Sequence, residues 1–208
     1  MTSNTANRGR LLVAASVAAV VVIGIVIAVA VVVTRGGGQA GPAGQAGQAG
    51  GPPWPVPSDP VAAIRAAGLT PAAGEGSAEH YHAHLDVIVD GKPVPVPADV
   101  GVAEAVQLIS PLHTHDNTGV LHIESPRAGQ PYYLGQFFQE WDVALSSGRI
   151  GRLQAGSGDT LTAYVNGRKV TGDPAKIQLA AHQEIALVYQ PAGANVTAPS
   201  SYSFGAGL

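Results

Sequence analysis

From residue 58 onward, apolar and polar positions alternate in short blocks bounded by turn residues, and one stretch repeats at helical spacing. Residues 80–89, HYHAHLDVIV, have period two: His80, His82, His84 and Asp86 point one way, and Tyr81, Ala83, Leu85, Val87 and Val89 the other. This reads as a half-buried strand. Asp90-Gly91 is a hairpin signal, and the prolines of residues 94–97 confine the returning arm to a sheet edge or to irregular extended chain. Residues 112–124, LHTHDNTGVLHIE, repeat the alternation on both sides of a turn-rich Asp116-Asn117-Thr118-Gly119. A hairpin centred on Asn117-Thr118 pairs His115 with Val120 and His113 with His122. His113, His115, His122 and Glu124 then share one face, while Leu112, Leu121 and Ile123 supply an apolar reverse face. Slipping this register by one residue would send His122 to the opposite face.

Other elements follow the same logic. Asp59 as cap, Pro60 at the first helical position and Gly68 as terminator predict a short helix with Val61 and Ile64 on one face. Residues 134–144 place Leu134, Phe137, Phe138 and Trp141 at helical spacing, predicting the main core helix. Asn166-Gly167 turns a hairpin between residues 161–165 and 169–170, and residues 184–189, EIALVY, form a last strand with Ile185, Leu187 and Tyr189 on one face. Strands, one central helix and strands again predict an α+β domain over residues 58–190, with an antiparallel or mixed sheet. Residues 191–208, rich in Gly, Ala, Ser and Pro, read as a flexible tail in which Tyr202 and Phe204 can dock back on the domain.

The beginning of the chain differs in kind. Residues 11–33 are an uncharged run of 23 residues dominated by Val, Ala, Ile and Leu, long enough to span a bilayer. Arg8 and Arg10 precede it and Arg35 alone follows closely, which predicts a cytoplasmic segment 1–10 and an extracytoplasmic remainder. A cleaved signal peptide competes, with Ala28-Val29-Ala30 as the small-residue cleavage site, but the apolar run is longer than signal peptides use. An uncleaved signal-anchor in the cell membrane is the expectation. Residues 34–57, dominated by Gly, Ala, Gln and then Pro, read as a tether with an end-to-end distance on the order of 25–30 Å. Trp54 within it is assigned either to the membrane interface or to the domain.

Composition narrows the chemistry. Six of the seven histidines lie between residues 80 and 122, on the two predicted hairpins. There is no cysteine and the single methionine is Met1, which excludes thiolate zinc sites, iron–sulfur clusters and cysteine-ligated copper. Imidazole with an optional carboxylate suits Zn²⁺, Cu²⁺, Ni²⁺ or Fe²⁺, with zinc and copper leading. The candidate ligands are His113, His115, His122 and Glu124, with His80, His82 and His84 completing that site or forming a second one. His182 lies in a polar turn and is read as structural or solvated. The formal charge of −3 and the absence of a basic stripe beyond the membrane flank argue against nucleic acid as a partner.

Two resemblances bear on this reading. LHTHDNTGVLHIES and LGQFFQEW resemble blocks of a family of membrane-anchored, His-rich extracytoplasmic domains of actinobacteria and archaea. That family has no assigned activity, so the likeness implies no catalytic residue. The order of segments over residues 112–189 (hairpin, helix, hairpin, final strand) resembles the β-grasp arrangement. The HxH strand with a third His on its neighbour is also similar, in local geometry alone, to three-His carbonic anhydrases.

Three functions stand at this point. The leading one is a membrane-tethered binding protein for Zn²⁺ or Cu²⁺. The second is a zinc hydrolase or hydratase using His113, His115 and His122, with Glu124 as base or orienter. The third is an envelope interaction module whose histidines face water. The chain lacks G-x-S-x-G, a glycine-rich phosphate loop and HExxH, so nothing else in it carries enzyme chemistry.

Overall fold

A computed structural model describes residues 50–208 of the chain. The predicted membrane span at residues 11–33 and most of the tether lie outside them. Among the described residues, no helix is long and apolar enough to cross a membrane.

The order of elements is α1 (Pro60–Ala66), β1 (Glu79–Val89), β2 (Lys92–Val94), β3 (Leu112–His113), β4 (Val120–Ser125), α2 (Leu134–Glu140), β5 (Asp159–Val165), β6 (Arg168–Val170) and β7 (Gln183–Pro191). Two small antiparallel sheets, Val102–Ala103 with Leu108–Ile109, and Leu145–Ser146 with Arg149–Ile150 and Leu153–Gln154, fill the connections. The main sheet runs β6–β5–β7–β1–β4–β3. Only β1 and β7 are parallel within it, and the other pairs are antiparallel. The long strand β1 meets β4 through Glu79–His84 and β2 through Val87–Val89. The domain is thus mixed α+β, with a mixed sheet.

The β-grasp likeness rested on residues 112–189, and the structure corrects that placement. The strand beside and parallel to β7 is β1, forty residues ahead of β4, and the hairpin of residues 112–125 extends the sheet outside it. The physical reason lies in β1 itself, whose buried Ala83, Leu85 and Val87 cover more of the core than the two-residue β3 can.

Local signals act as read. The Asp59 carboxylate accepts from the Ala62 amide at 2.9 Å, and Gly68 ends the first helix at φ 74°. Asp90 and Gly91 (φ 50° and 75°), like Asn166 and Gly167 (φ 50° and 73°), take the left-handed backbone of tight hairpin turns. Helix α2 stops at Glu140, sooner than predicted, because Asp142 turns left-handed at φ 57°. Its stripe still holds: Leu134, Phe137, Phe138 and Trp141 are fully buried against Leu85, Leu112, Leu121, Ile123 and Leu187. Burial of each such side chain contributes about 1.5–3 kcal/mol. That core occupies one face of the sheet, so the other face is free to be polar.

Both boundaries of the domain shift. Trp54, placed in the tether by its Gly/Pro surroundings, is 1% exposed and packs edge-on against Trp141 at 5.7 Å. The Trp141 indole donates to the Trp54 carbonyl at 3.0 Å, so the packed unit begins ahead of residue 58. Residues after Pro191 carry no regular structure, yet Tyr202 stacks on His84 and Phe204 on His182. The tail docks through the two aromatics named for that role, Tyr202 and Phe204.

Candidate metal centre

The register of the predicted hairpin is present: His113 faces His122, and Leu112 faces Ile123. His115 lies beyond the short β3, in the loop, so its predicted pairing with Val120 does not form. Val120 sits instead opposite His84 of β1. The decisive contact is on the far side of β4, where β1 sets His82 opposite His122 and His80 opposite Glu124. His113, His122 and His82 therefore form a row across three strands, joining two histidine clusters that lie about thirty residues apart in the chain.

The ring nitrogens converge. The Nε2 atoms of His80 and His82 are 3.1 Å apart, as are those of His113 and His115, and His82 Nε2 lies 3.1 Å from His122 Nδ1. Glu124 Oε1 lies 3.3 Å from His80 Nε2 and 3.7 Å from His122 Nδ1. Four ligands held about 2.0–2.1 Å from a tetrahedral ion stand about 3.3–3.4 Å from one another. These spacings match that edge. Two sets, His80/His82/His122/Glu124 and His113/His115/His122/Glu124, each bring their ligand atoms within 4.8 Å.

Several partners orient the rings. His113 is fully buried, and its Nδ1–H donates to the Ser110 carbonyl at 2.9 Å. A carbonyl only accepts, so Nδ1 carries the proton and Nε2 presents its lone pair to the cluster. Thr114 ties down the same loop, its hydroxyl donating to the Pro97 carbonyl and accepting from the Val100 amide. His80 and His115 are the outer rings, with side chains 54% and 47% exposed.

Burial also sets the protonation states. Desolvation, reinforced by neighbouring imidazoles, depresses His113 to about 4 and His122 to about 3, and lowers His82 as well. At neutral pH these rings are uncharged, the form a metal requires. Burial first, and then the Glu75 carboxylate, push Glu124 up to about 7. Glu75, whose Oε1 is 3.7 Å from His115 Nε2, completes the rim. Sequence reading missed Glu75, a lone acid in a Gly74-Glu75-Gly76 loop with no pattern around it. Beside these two carboxylates a cleft of about 90 Å³, lined also by Gly76 and Pro111, opens to solvent.

His84 is not brought into either set. Its Nδ1 lies 2.8 Å from Glu184 Oε2 and its Nε2 2.8 Å from the Thr118 carbonyl. Burial opposes its charge, but the Glu184 hydrogen bond and charge, the Thr118 carbonyl and Asp86 outweigh it and raise its pKa. The Thr118 carbonyl only accepts, so Nε2 donates to it, and Tyr202 stacks on the ring at 3.7 Å. His84, Asp86 and Glu184 do lie within ligand distance of one another. His84, however, has both nitrogens already engaged, Nε2 by the Thr118 carbonyl and Nδ1 by Glu184. It acts as a strap point: Gly119 (φ 91°) lets the turn close over it, since a Cβ there would stand 3.0 Å from His84 Nε2 and 2.5 Å from the Leu85 carbonyl oxygen. His182 stays apart, its Nε2 against the Leu208 carbonyl at 3.1 Å.

The chain matches no protein-family model, no curated protein and no solved structure. The site geometry alone therefore carries the functional argument.

Proposed function

We propose that this protein is a membrane-tethered, extracytoplasmic metal-binding protein that holds Zn²⁺ or Cu²⁺ through His80, His82, His113, His115 and His122, with Glu124. One observation carries the reading: five imidazoles at ligand-to-ligand spacing, with the buried ones held neutral. A solvated polar face has no reason to bury His113 completely and hold its free nitrogen 3.1 Å from that of His115, within ligand distance of His122 and Glu124. The uncharged run at residues 11–33 and the flanking arginines support the tether and the orientation. The blocks LHTHDNTGVLHIES and LGQFFQEW support membership of the His-rich extracytoplasmic family. The order β2–β1–β7–β5–β6, with α2 between the two hairpins, supports a β-grasp-like ancestry for the sheet.

The test uses the purified full-length chain, stripped with chelator, dialysed against Zn²⁺ or Cu²⁺ and assayed for metal by mass spectrometry. Wild-type protein retains metal. His113→Ala loses it, with folding checked by tryptophan fluorescence, and His182→Ala retains it. Absence of metal from the wild type, or equal effects of the two substitutions, would return the histidine face to the role of an interaction module.

A further inference from the structure

We infer that the site takes two divalent cations, not one. This rests on the metal-binding reading and adds the number of ions and their division among ligands. His80 and His82 are the terminal pair for one ion and His113 and His115 for the other; between them Glu124, with two oxygens, is the shared ligand, and His122, whose neutral ring has one free nitrogen, binds one of the two. Each pair shows the same 3.1 Å separation of Nε2 atoms. Both ligand sets include His122 and Glu124, yet no single set within 4.8 Å holds both pairs among the described residues. Ligands on opposite sides of one ion are at most about 4.1 Å apart, twice a metal–nitrogen bond, so one ion cannot reach all four terminal rings as they stand.

The central residues lie between the two pairs. His122 is the middle of the row, with His82 opposite it on one neighbouring strand and His113 on the other. Its Nδ1 lies 3.1 Å from His82 Nε2, its ring stacks on that of His113 at 5.3 Å, and the ring of His115 meets its edge at 4.5 Å. Glu124 has two oxygens, of which Oε1 faces His80 and His122. Charge points the same way. Two dications approached by five neutral imidazoles gain from two carboxylates, and Glu75 supplies the second beside His115. A single ion at His80 and His82 would leave the His113–His115 pair without an ion.

The experiment titrates chelator-stripped full-length protein with Cu²⁺, reading stoichiometry by calorimetry and the spin state by electron paramagnetic resonance. Two ions per chain are expected, the second accompanied by loss or broadening of the isolated Cu²⁺ signal through coupling to its neighbour. His80→Ala and His115→Ala replace exposed rings, so the fold tolerates them. Each should weaken one of the two binding steps by about 100-fold while leaving the other near its wild-type value. One ion per chain with an isolated signal, weakened equally by both substitutions, would overturn the two-ion inference while the metal-binding reading stands. No bound ion at all would overturn both.

Discussion

Acidifying the metal-free protein probes the claim that the fold holds its ligands neutral. Burial, helped by neighbouring rings, keeps His113 at about 4 in the folded state, against an ordinary value near 6.5. The unfolded chain therefore binds a proton at a pH where the folded one refuses it. Stability from this group is complete above about pH 6.5 and is lost progressively as pH falls toward 4. At about 1.4 kcal/mol per pH unit, the loss amounts to about 3 kcal/mol. His122, held at about 3, adds in the same direction. His113→Gln removes the titration while its amide can still donate to the Ser110 carbonyl. Urea unfolding at pH 7, 6, 5 and 4 measures the effect, and Trp54 and Trp141, the only tryptophans and both buried, report the transition. Wild type should lose about 3 kcal/mol more than His113→Gln between pH 7 and 4. Parallel curves would mean that His113 protonates freely inside the fold and is not held neutral for a metal.

Other outcomes follow from the same structure. Zinc at about 100 times its dissociation constant should add about 2.7 kcal/mol at pH 7. Below pH 6 that protection should fade as protons compete for the rings. Glu140 is fully buried without a well-formed hydrogen bond, and desolvation raises its pKa well above the usual range, against a weaker opposing effect of Ser110. Its raised value makes stability complete below about pH 4.5 and progressively lost above it, so Glu140→Gln should flatten the alkaline limb by up to about 1.4 kcal/mol per pH unit. An unchanged limb in urea titrations would place the carboxyl in contact with solvent. Trp54→Ala should cost about 3–5 kcal/mol despite its Gly/Pro surroundings, and an unaltered melting temperature would return it to the tether. Gly119→Val should distort the turn over His84 and weaken metal binding, because a Cβ there collides with the Leu85 carbonyl. Wild-type affinity in that variant would show that the turn is not a constraint on the site.

Much of the site was legible in the chain because strand geometry is local. Period-two alternation alone decides that His80, His82 and His84 share a face, and the Asp116–Gly119 turn sets His113 opposite His122. The same holds for the cap at Asp59 and for the aromatic stripe of α2, both written within a few residues of where they act.

What the sequence could not decide is which strand lies next to which. Placing β1 against β4 depends on Tyr81, Ala83 and Leu121 closing over a core shared with α2, and no nearest-neighbour rule encodes a pairing across forty residues. That one adjacency merges two histidine motifs into a single centre. It also sends His84, identical in pattern to His80 and His82, toward Glu184 a hundred residues away, where Glu184 and the Thr118 carbonyl engage both its nitrogens. Trp54 and Glu75 show the same limit, since burial and charge proximity are properties of what the rest of the chain brings alongside. Sequence period determined the faces; long-range burial of apolar surface determined which faces meet.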